Sequence, residues 1–456
     1  MDDSTEKNSA LLVATLASFL TPFMTSAVII ALPSIGKEFS LNAILLSWVP
    51  TSYILAAAIF LVPFGRLADI YGRKRIFTYG IFIYTVSSFF TAISNSATVL
   101  ILSRILQGIG SAMIFSTAVA IVTSAFPVGE RGRVLGINVA AVYLGLSVGP
   151  FLGGFLTQQL GWRSIFLANV LLGLIIIFFI YWKLKGEWAE AKGEKFDLVG
   201  SLIYSLAIIS IMYGFSLLPS FRGGVLILFG IVSLFFFVRF EDKQKHPVLS
   251  TNLFRGSVTF AFSNLAALIN YCSTSAVAFL LSLYLQYIKK LSPQEAGLVI
   301  LFQPVIMTIF SPLAGRLSDK VEPRIVASIG MALTTIGLSL FIFLSENTPE
   351  SFIIANLILL GLGFGLFSSP NMNAIMSSVE KKFYGTASGT LATMRLTGQM
   401  LSLGIAMLIF AVYIGRVQIT PEHYPLFLKS TKVAFAVFAA LCFGGIFASL
   451  ARGKVR

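Results

Sequence analysis

The chain has 456 residues, of which 56% are hydrophobic and only 11% charged, and its mean hydropathy is +0.88. Soluble domains carry about 25% charged residues, so this chain has too few to cover a water-exposed surface. The composition therefore indicates an integral membrane protein. The net charge of +14 does not indicate nucleic-acid binding, because the bases lie in short loops between apolar runs, as the positive-inside bias of membrane proteins requires.

Several other classes of protein find no support in the sequence. The first ten residues lack the basic segment of a signal peptide, so the first apolar run is expected to be a retained helix. Cys272 and Cys442 each lie within an apolar run, and no Cys or His spacing indicates a metal site. We expect no cofactor. The chain has no GxxxxGK[ST] loop for ATP, and the short loops leave little room for an enzyme or receptor domain.

Fourteen runs approach the roughly 20 apolar residues that a membrane-spanning helix needs. Helix is predicted because lipid offers the backbone no hydrogen-bond partners, and because the runs are too long for barrel strands. The sequence therefore predicts an all-α membrane protein with 14 transmembrane helices. The predicted spans are residues 10–32, 45–64, 76–94, 98–124, 134–158, 164–182, 197–217, 224–239, 257–286, 295–314, 324–344, 351–371, 386–414 and 432–451.

The loops between these spans indicate the topology. With the N-terminus placed inside, most of the 33 Lys and Arg residues fall on the inner side of the membrane. Dropping one span would move every later loop to the opposite side and remove this asymmetry. The positive-inside rule therefore predicts an even number of spans and two cytoplasmic termini.

A short charged loop occurs twice, at residues 65–75 and in thinner form at residues 315–324. The first copy joins spans 2 and 3, and the second joins spans 10 and 11. Two six-helix halves would place the copies six spans apart, and they are eight apart. We therefore predict two pseudo-symmetric six-helix bundles at residues 10–182 and 257–451, separated by a segment at 183–256 that inserts two extra transmembrane helices.

Four further stretches accompany this loop. They are residues 48–53 in span 2, 104–110 in span 4, 145–154 in span 5, and 385–389 leading to Arg395 in span 13. Together they resemble the major facilitator superfamily, and the span count resembles its 14-span drug:proton antiporters. The resemblance covers nearly the whole chain. It implies a secondary transporter that works by alternating access between two bundles and moves small organic molecules, most often outward.

The charged loop is the candidate conformational latch, formed by Gly65, Asp69, Gly72 and Arg73, with Asp319 from the second copy. The glycines permit tight backbone geometry. The Asp69 carboxylate is placed to interact with a helix N-terminus and with nearby arginines. The resemblance implies that Asp69 holds the two halves together while the carrier is open outward. The alternative is that these charges are ordinary positive-inside anchors.

Span 5 carries the candidate hinge or sliding face, formed by Gly145, Gly149, Pro150, Gly153 and Gly154. Glycines spaced four apart share one helix face and let a neighbouring helix approach closely. Proline removes one backbone donor and bends the helix. The functional interpretation is a surface that moves during alternating access, and the alternative is static packing of small residues.

Arg104 and Arg395 fall within spans, where a base costs on the order of 3 kcal/mol. Each is a candidate for contact with an anionic substrate or for tuning a proton site. The alternative is a structural arginine, which for Arg104 would bond carbonyl groups and Gln107. Further candidates for contact with substrate or for coupling are Gln107, Tyr53, Asn138, Tyr143, Asn264, Asn270 and Asn356. The alternative for each of these is a hydrogen bond between helices.

One position departs from the family that the chain resembles. Drug:proton antiporters usually carry an aspartate in the first span, and here Met24 occupies that position. All 19 acidic residues lie in loops, at termini or at span edges. A proton relay normally uses a carboxylate buried within the membrane. Either the edge acids Asp69 and Asp319 serve coupling, or the protein is not a proton antiporter of the usual kind.

These observations favour efflux of drugs or metabolites by a secondary transporter. The alternatives are an uptake carrier or facilitator without proton coupling and, from another class, a membrane-bound enzyme or receptor. The expected partners are a small-molecule substrate and the lipid bilayer, with a proton as the candidate coupling ion. We expect a monomer in the plasma membrane and no nucleic-acid partner.

Overall fold

A computed structural model describes residues 3–127, 130–184, 186–189, 191–194, 196–244, 251–380 and 384–453. Within these ranges the chain is helical and contains no strand. The first eight helices are α1 Asp3–Glu38, α2 Ala43–Tyr71, α3 Arg73–Ala92, α4 Ala97–Ala125, α5 Arg131–Leu160, α6 Arg163–Lys183, α7 Leu198–Leu217 and α8 Phe221–Glu241. The rest are α9 Thr251–Gly256, α10 Val258–Thr274, α11 Val277–Leu283, α12 Pro293–Ser318, α13 Pro323–Leu340, α14 Glu350–Ser377, α15 Tyr384–Tyr413 and α16 Tyr424–Ala451.

These helices confirm the predicted all-α membrane fold, with two differences in detail. The predicted ninth span is divided into α10, α11 and a π-helical turn at Tyr284–Ile288. Thirteen helices of the described chain are long and apolar enough to cross a membrane, counting α10, α11 and the π turn as one. The predicted third span, α3, is not among them, because its bases and hydroxyl groups lower its hydropathy. It nevertheless packs between α2, α4 and α6.

Local sequence signals explain where several helices begin. The Asn42 side chain accepts a hydrogen bond from the Leu45 amide at 2.9 Å and so caps α2. Ser292 and Glu295 form a reciprocal capping box at the start of α12. Such caps satisfy amides that have no partner within the helix. They place the helix ends in the polar loops and leave the apolar runs intact.

The first six helices pack against one another, with α1 against α4, α5 and α6, and α3 against α2, α4 and α6. Glycine permits close contact within this group. A Cβ on Gly110 of α4 would lie 2.8 Å from the carbonyl oxygen of Gly80 on α3 and 2.8 Å from the Tyr84 amide. Small residues bring helix backbones together in this way because dispersion, rather than the hydrophobic effect, drives helix association in lipid.

The last six spans form a similar set, in which α10 contacts α14, α15 and α16, and α13 contacts α14 and α16. A buried arginine joins their ends. Arg452 is fully buried. It donates to the Ser449 carbonyl at 2.7 Å and to Asn371 Oδ1 of α14 at 3.0 Å. Burial lowers the pKa of Arg452 to about 10, so it remains charged at neutral pH.

The two sets of helices meet mainly along α5–α12 and α2–α15. On the side of the membrane where α1 ends, Ser282 donates to the Ile29 carbonyl at 2.8 Å and Gln286 donates to the Ile30 carbonyl at 3.0 Å. The Ala43 amide donates to the Val417 carbonyl at 3.0 Å on the same side. Hydrogen bonds and backbone contacts therefore close this side.

The helix pair α7–α8 lies outside both sets. In α7, the Tyr204 hydroxyl donates to the Ala58 carbonyl of α2 at 3.3 Å, and Met212 and Phe215 pack against Gly404 of α15. Helix α8 contacts α7 and turns large apolar side chains such as Phe235 outward. The extra pair is therefore peripheral, and α7 covers the α2–α15 seam.

The Gly80–Gly110 contact gives a stability prediction. Replacing Gly110 by Val inserts a branched side chain where even a Cβ does not fit, and overpacking of this kind costs about 1–3 kcal/mol. We expect Gly110→Val to lower the melting temperature of the detergent-purified protein. The matched control is Gly136→Val, because a Cβ on Gly136 meets no described atom within 4 Å. Equal melting temperatures for the two variants would contradict this account of the α3–α4 contact.

Candidate transport site

The charged loop at residues 65–75 is a one-residue turn in the structure. Helix α2 continues to Tyr71, past the end of its predicted span, and α3 begins at Arg73. Gly72 alone separates them, with φ +117°, a conformation that side chains with a Cβ rarely adopt. Gly65 lies within α2, where a Cβ would only contact Ser116 at 3.6 Å. The geometric requirement for glycine therefore rests on Gly72.

Asp69 and Arg73 form an ion pair across this turn. The guanidinium donates to Asp69 Oδ1 from Nε at 2.9 Å and from Nη2 at 2.7 Å, and its third nitrogen donates to Ser124 Oγ of α4. Arg73 is only 7% exposed, which a solvated membrane anchor would not be. Asp69 lies in the last turn of α2, and its partner is a base in the first turn of α3; the contact with a helix N-terminus stays a prediction.

The second copy of the loop is organised in a similar way. Asp319 caps the end of α12, and its Oδ1 accepts a hydrogen bond from Asn373 of α14 at 3.2 Å. Asn373 also donates to Ser318 at 2.9 Å. Each copy thus ties its loop to another helix of the same half, α4 in the first and α14 in the second. A latch between the halves stays a prediction.

The glycines of α5 fall on two faces. Gly145, Gly149 and Gly153 face Phe19, Ser26 and Ala27 of α1, with no room for a Cβ. Pro150 and Gly154 instead face α12, where a Cβ on Gly154 would overlap the Pro293 carbonyl, and one on Gly297 would overlap the Pro150 carbonyl. The predicted face thus contains a packing stripe against α1 and a separate contact between the halves.

Arg104 is 1% exposed and lies within the first six helices. Its Nε donates to the Val49 carbonyl at 3.2 Å, and its Nη1 donates to Gln107, which donates in turn to Ser88 Oγ at 2.7 Å. The guanidinium also lies 4.4 Å from the ring centroid of Tyr53, and the Tyr53 hydroxyl donates to Ser111. These contacts are the ones that the structural interpretation of Arg104 requires.

A group of polar side chains joins the two sets of helices. The Tyr143 hydroxyl of α5 lies 3.2 Å from Ser368 Oγ of α14 and 3.4 Å from Ser311 Oγ of α12. Close by, the Arg395 guanidinium of α15 lies 5.5 Å from the ring centroid of Tyr271 on α10. Both Arg395 and Tyr271 are partly exposed. We call Tyr143, Tyr271, Ser311, Ser368 and Arg395 the central cluster.

The remaining candidates are buried. Met24 is fully buried. Asn264 donates to the Phe260 carbonyl and Asn356 donates to the Gly337 carbonyl, so they make hydrogen bonds within and between helices. The side-chain nitrogens of Asn138 and Asn270 have no partner among the described residues. Such groups are costly in a buried setting, so these two remain candidates for a further contact.

Sequence reasoning missed Ser311 and Ser368 of the central cluster. Neither has a distinguishing pattern, because hydroxyl residues occur in many spans and only the approach of α5 to α12 and α14 selects these two. It also missed Glu187 and Glu194, which contact the charged loop. The sequence did contain a weak signal for these two acids. They lie in the polar segment after span 6, and this span ends on the predicted inner side of the membrane, where the bases of the charged loop also lie.

Together, the spanning helices, the two half-like sets and a polar cluster between them define a multispan membrane transporter. The model of the Major Facilitator Superfamily matches residues 14–263 and 263–454. The chain belongs to this superfamily, as its motifs predicted, and it is a transporter and not an enzyme. Its substrate is a small molecule and its surroundings are the lipid bilayer.

Several curated proteins are similar over most of their length. The riboflavin transporter RibZ of Clostridioides difficile (strain 630) is 31% identical over 444 residues, which cover 97% of this chain and 96% of that protein. The cephamycin export protein CmcT of Amycolatopsis lactamdurans is 31% identical, covering 88% and 84%. The multidrug resistance protein Stp of Mycobacterium tuberculosis (strain ATCC 25618 / H37Rv) is 29% identical, covering 89% and 76%.

Solved structures show the same fold at low sequence identity. A peptide transporter POT in complex with sulfate has a TM-score of 0.71 at 14% identity and covers 97% of this chain and 98% of its own. A bacterial homologue of the human lysosomal transporter Spinster, in an inward-facing and occupied conformation, has a TM-score of 0.68 at 16% identity and covers 98% and 97%. These likenesses concern the fold alone.

The contacts of Arg104 predict a structural role that can be separated from a role in transport. Replacing Arg104 by Met leaves Gln107 Oε1 without its donor and removes one of the donors to the Val49 carbonyl, and an unpaired buried group costs about 1–3 kcal/mol. We expect Arg104→Met to lower the melting temperature clearly. The matched variant Arg395→Met should leave it nearly unchanged, because Arg395 makes no hydrogen bond within the described residues. The reverse order of the two melting temperatures would contradict this assignment.

Proposed function

We propose that the protein exports a small organic compound by alternating access, with residues 10–182 and 257–451 as the moving halves. The contacts between the halves support this division, because α5–α12 and α2–α15 are seams between helices of different halves. The extra helices within residues 183–256 lie outside both sets. The halves move against each other at Pro150 and Gly154 in this proposal, and Asp69 acts as the latch when the opposite side opens.

The packing supports a state that is open on the side of the N-terminus. Hydrogen bonds between the halves close the side where α1 ends, and the other hydrogen bonds that the described residues make between the halves lie at Tyr143 and Ser147 of α5. The asymmetry of bases favours a cytoplasmic location for the N-terminal side. The proposed state is therefore inward-open, in a plasma-membrane monomer with both termini inside, and it is the state in which an exporter would load.

The substrate proposal rests on the position of Arg395. It is a partly exposed base within α15, it faces the ring of Tyr271, and the central cluster contains no acid. A base in a membrane protein that lacks a buried acid to pair with favours an anionic or electron-rich ligand. The tyrosine and serine hydroxyls of the central cluster add hydrogen-bonding groups. We propose a planar or amphipathic compound with anionic or carbonyl oxygens, in preference to a lipophilic cation.

The relatives support the same range of substrates. RibZ is described as a riboflavin transporter and CmcT as a cephamycin export protein. Riboflavin presents a flat ring system with carbonyl oxygens, and cephamycins carry carboxylates. Both kinds of compound suit a site with one arginine and several hydroxyl groups. They are therefore the first compounds to test with this protein.

A second candidate function is an uptake carrier or facilitator that is not coupled to protons. Met24, which occupies the position of the expected acid, is fully buried and cannot bind a proton. The acids of the two charged loops, Asp69 and Asp319, lie at helix ends and are bonded to Arg73 and Asn373. Export coupled to protons would have to use one of these two edge acids.

Transport in proteoliposomes distinguishes the two candidates. Purified protein is reconstituted and uptake of riboflavin, an organic anion and a lipophilic cation is measured with and without an imposed pH gradient. We expect transport of the first two compounds and little of the cation, since no carboxylate lies at the central cluster. Acceleration by the pH gradient supports a proton-coupled exporter, and indifference to it supports a facilitator. Transport of the cation alone would overturn the substrate proposal.

The role of Arg395 is tested by replacement with Met and with Lys. Loss of one charge-assisted hydrogen bond costs about 1.5–3 kcal/mol, so Arg395→Met should raise KM for an anionic substrate by roughly tenfold or more. Arg395→Lys keeps the charge but loses the planar fork of the guanidinium. Its KM should therefore lie between those of the unchanged protein and of Arg395→Met. A neutral analogue of the same compound serves as the control, because its KM should change little. An equal change for both compounds would argue against a charge contact.

A further inference from the structure

The segment between α6 and α7 lies against the charged loop. Residues 186–189 and 191–194 of this segment contact the loop on both sides of Gly72. The Arg73 amide donates to the Trp188 carbonyl at 2.8 Å, and the Ala191 amide donates to the Asp69 carbonyl at 2.9 Å. These two backbone bonds join the segment to the end of α2 and to the start of α3.

Two acids of the segment reinforce these backbone bonds. Glu187 Oε1 accepts a hydrogen bond from the Lys74 amide at 3.0 Å, and its carboxylate lies so close to Gly72 that a Cβ there would overlap it. Glu194 forms an ion pair with Arg66 of α2. We name the described residues 186–189 and 191–194 the linker clip.

Glu187 has a particular electrostatic role in the clip. The first turn of α3 carries three bases, Arg73, Lys74 and Arg75, at the positive end of the helix dipole, where cations are unfavourable. The chain supplies no acid within that turn. Glu187 provides the missing carboxylate from a distant part of the sequence and accepts one of the unpaired amides. Its 3.7 Å contact with Arg75 is a minor addition, since Arg75 is 70% exposed and such pairs contribute little.

The clip also connects the charged loop to an element that touches both halves. Glu194 precedes the start of α7 at Leu198 by only a few residues. Helix α7 contacts α2 through Tyr204 and α15 through Met212 and Phe215. A displacement of α15 relative to α2 therefore reaches α7, and from there it reaches the clip and the loop through a short stretch of chain.

We propose that the linker clip sets the geometry of the charged loop during transport, with Glu187 and Glu194 as positioning residues. Neither acid contacts the central cluster, so neither binds substrate. The clip holds Gly72 and the α3 N-terminus in place and ties them to the extra helix pair, which gives that pair a role in the transport cycle. This inference rests on the proposed transport function only for its kinetic readout, because the geometry of the loop can be measured without substrate.

The first test measures the loop directly. A spin label is placed at Tyr71, which is 59% exposed, by Tyr71→Cys; the natural Cys272 and Cys442 are buried. We expect Glu187→Gln and Glu194→Gln each to increase the mobility of the label. Glu346→Gln, an exposed acid in the loop between α13 and α14, is the matched control and should not change it. Unchanged mobility in both clip variants overturns the proposal, whether or not a substrate has been found.

The second test separates positioning from simple stability. Loss of one carboxylate at a helix terminus should slow the exchange of substrate across the membrane by roughly fivefold. The KM for the substrate should be nearly unchanged, because the central cluster is intact. Arg66→Glu and Glu194→Arg should each slow exchange, and the double variant should recover most of the rate because the ion pair is restored with reversed charges. A mobile label with a normal exchange rate, or a double variant no better than either single one, would overturn the positioning role. Failure to find any transported compound would instead contradict the proposed function.

Discussion

The cost of placing charge in lipid is the constraint on which the rest of this structure depends. A base at mid-membrane costs on the order of 3 kcal/mol, and the chain meets this cost in different ways. Arg104 is enclosed by a carbonyl group, a glutamine and a tyrosine ring. Arg73 and Arg452 are buried at helix ends, where they join neighbouring helices. Arg395 alone among these four is partly exposed between the halves, which is why it carries the substrate proposal.

Close backbone contact is the second organising feature, and it serves two purposes. Within the first half, Gly145, Gly149 and Gly153 let α5 lie directly against α1. Between the halves, Pro150 and Gly297 bring α5 against α12 on the side that is closed. The α5–α12 seam also carries side-chain hydrogen bonds, from Ser147 to Thr308 and from Tyr143 to Ser311, whereas the packed stripe against α1 depends on close backbone contact. One helix therefore provides both cohesion within a half and the seam between halves.

The extra helix pair and the linker clip extend this arrangement to the charged loop. The loop has the composition expected of membrane anchors, yet its turn is shaped by Gly72 and its base Arg73 pairs with Asp69. Glu187 accepts a hydrogen bond from the first turn of α3. The acid that completes it comes from the segment leading to α7. A loop that the sequence presents as a local unit is thus completed by a part of the chain more than one hundred residues away.

The sequence by itself determined the class of protein, the number and approximate position of the spans and the charged loop, because hydrophobic length, loop charge and glycine spacing are local properties. Its predictions were least accurate at helix ends, as at Gly65, which lies within α2 rather than in a turn. Only the tertiary structure decided which neighbour each polar group has. It enclosed Arg104, brought Tyr143 to Ser368 and placed Glu187 on α3. Such contacts join residues far apart in the chain, and nothing in the local pattern of hydroxyls and acids specifies which of them will meet.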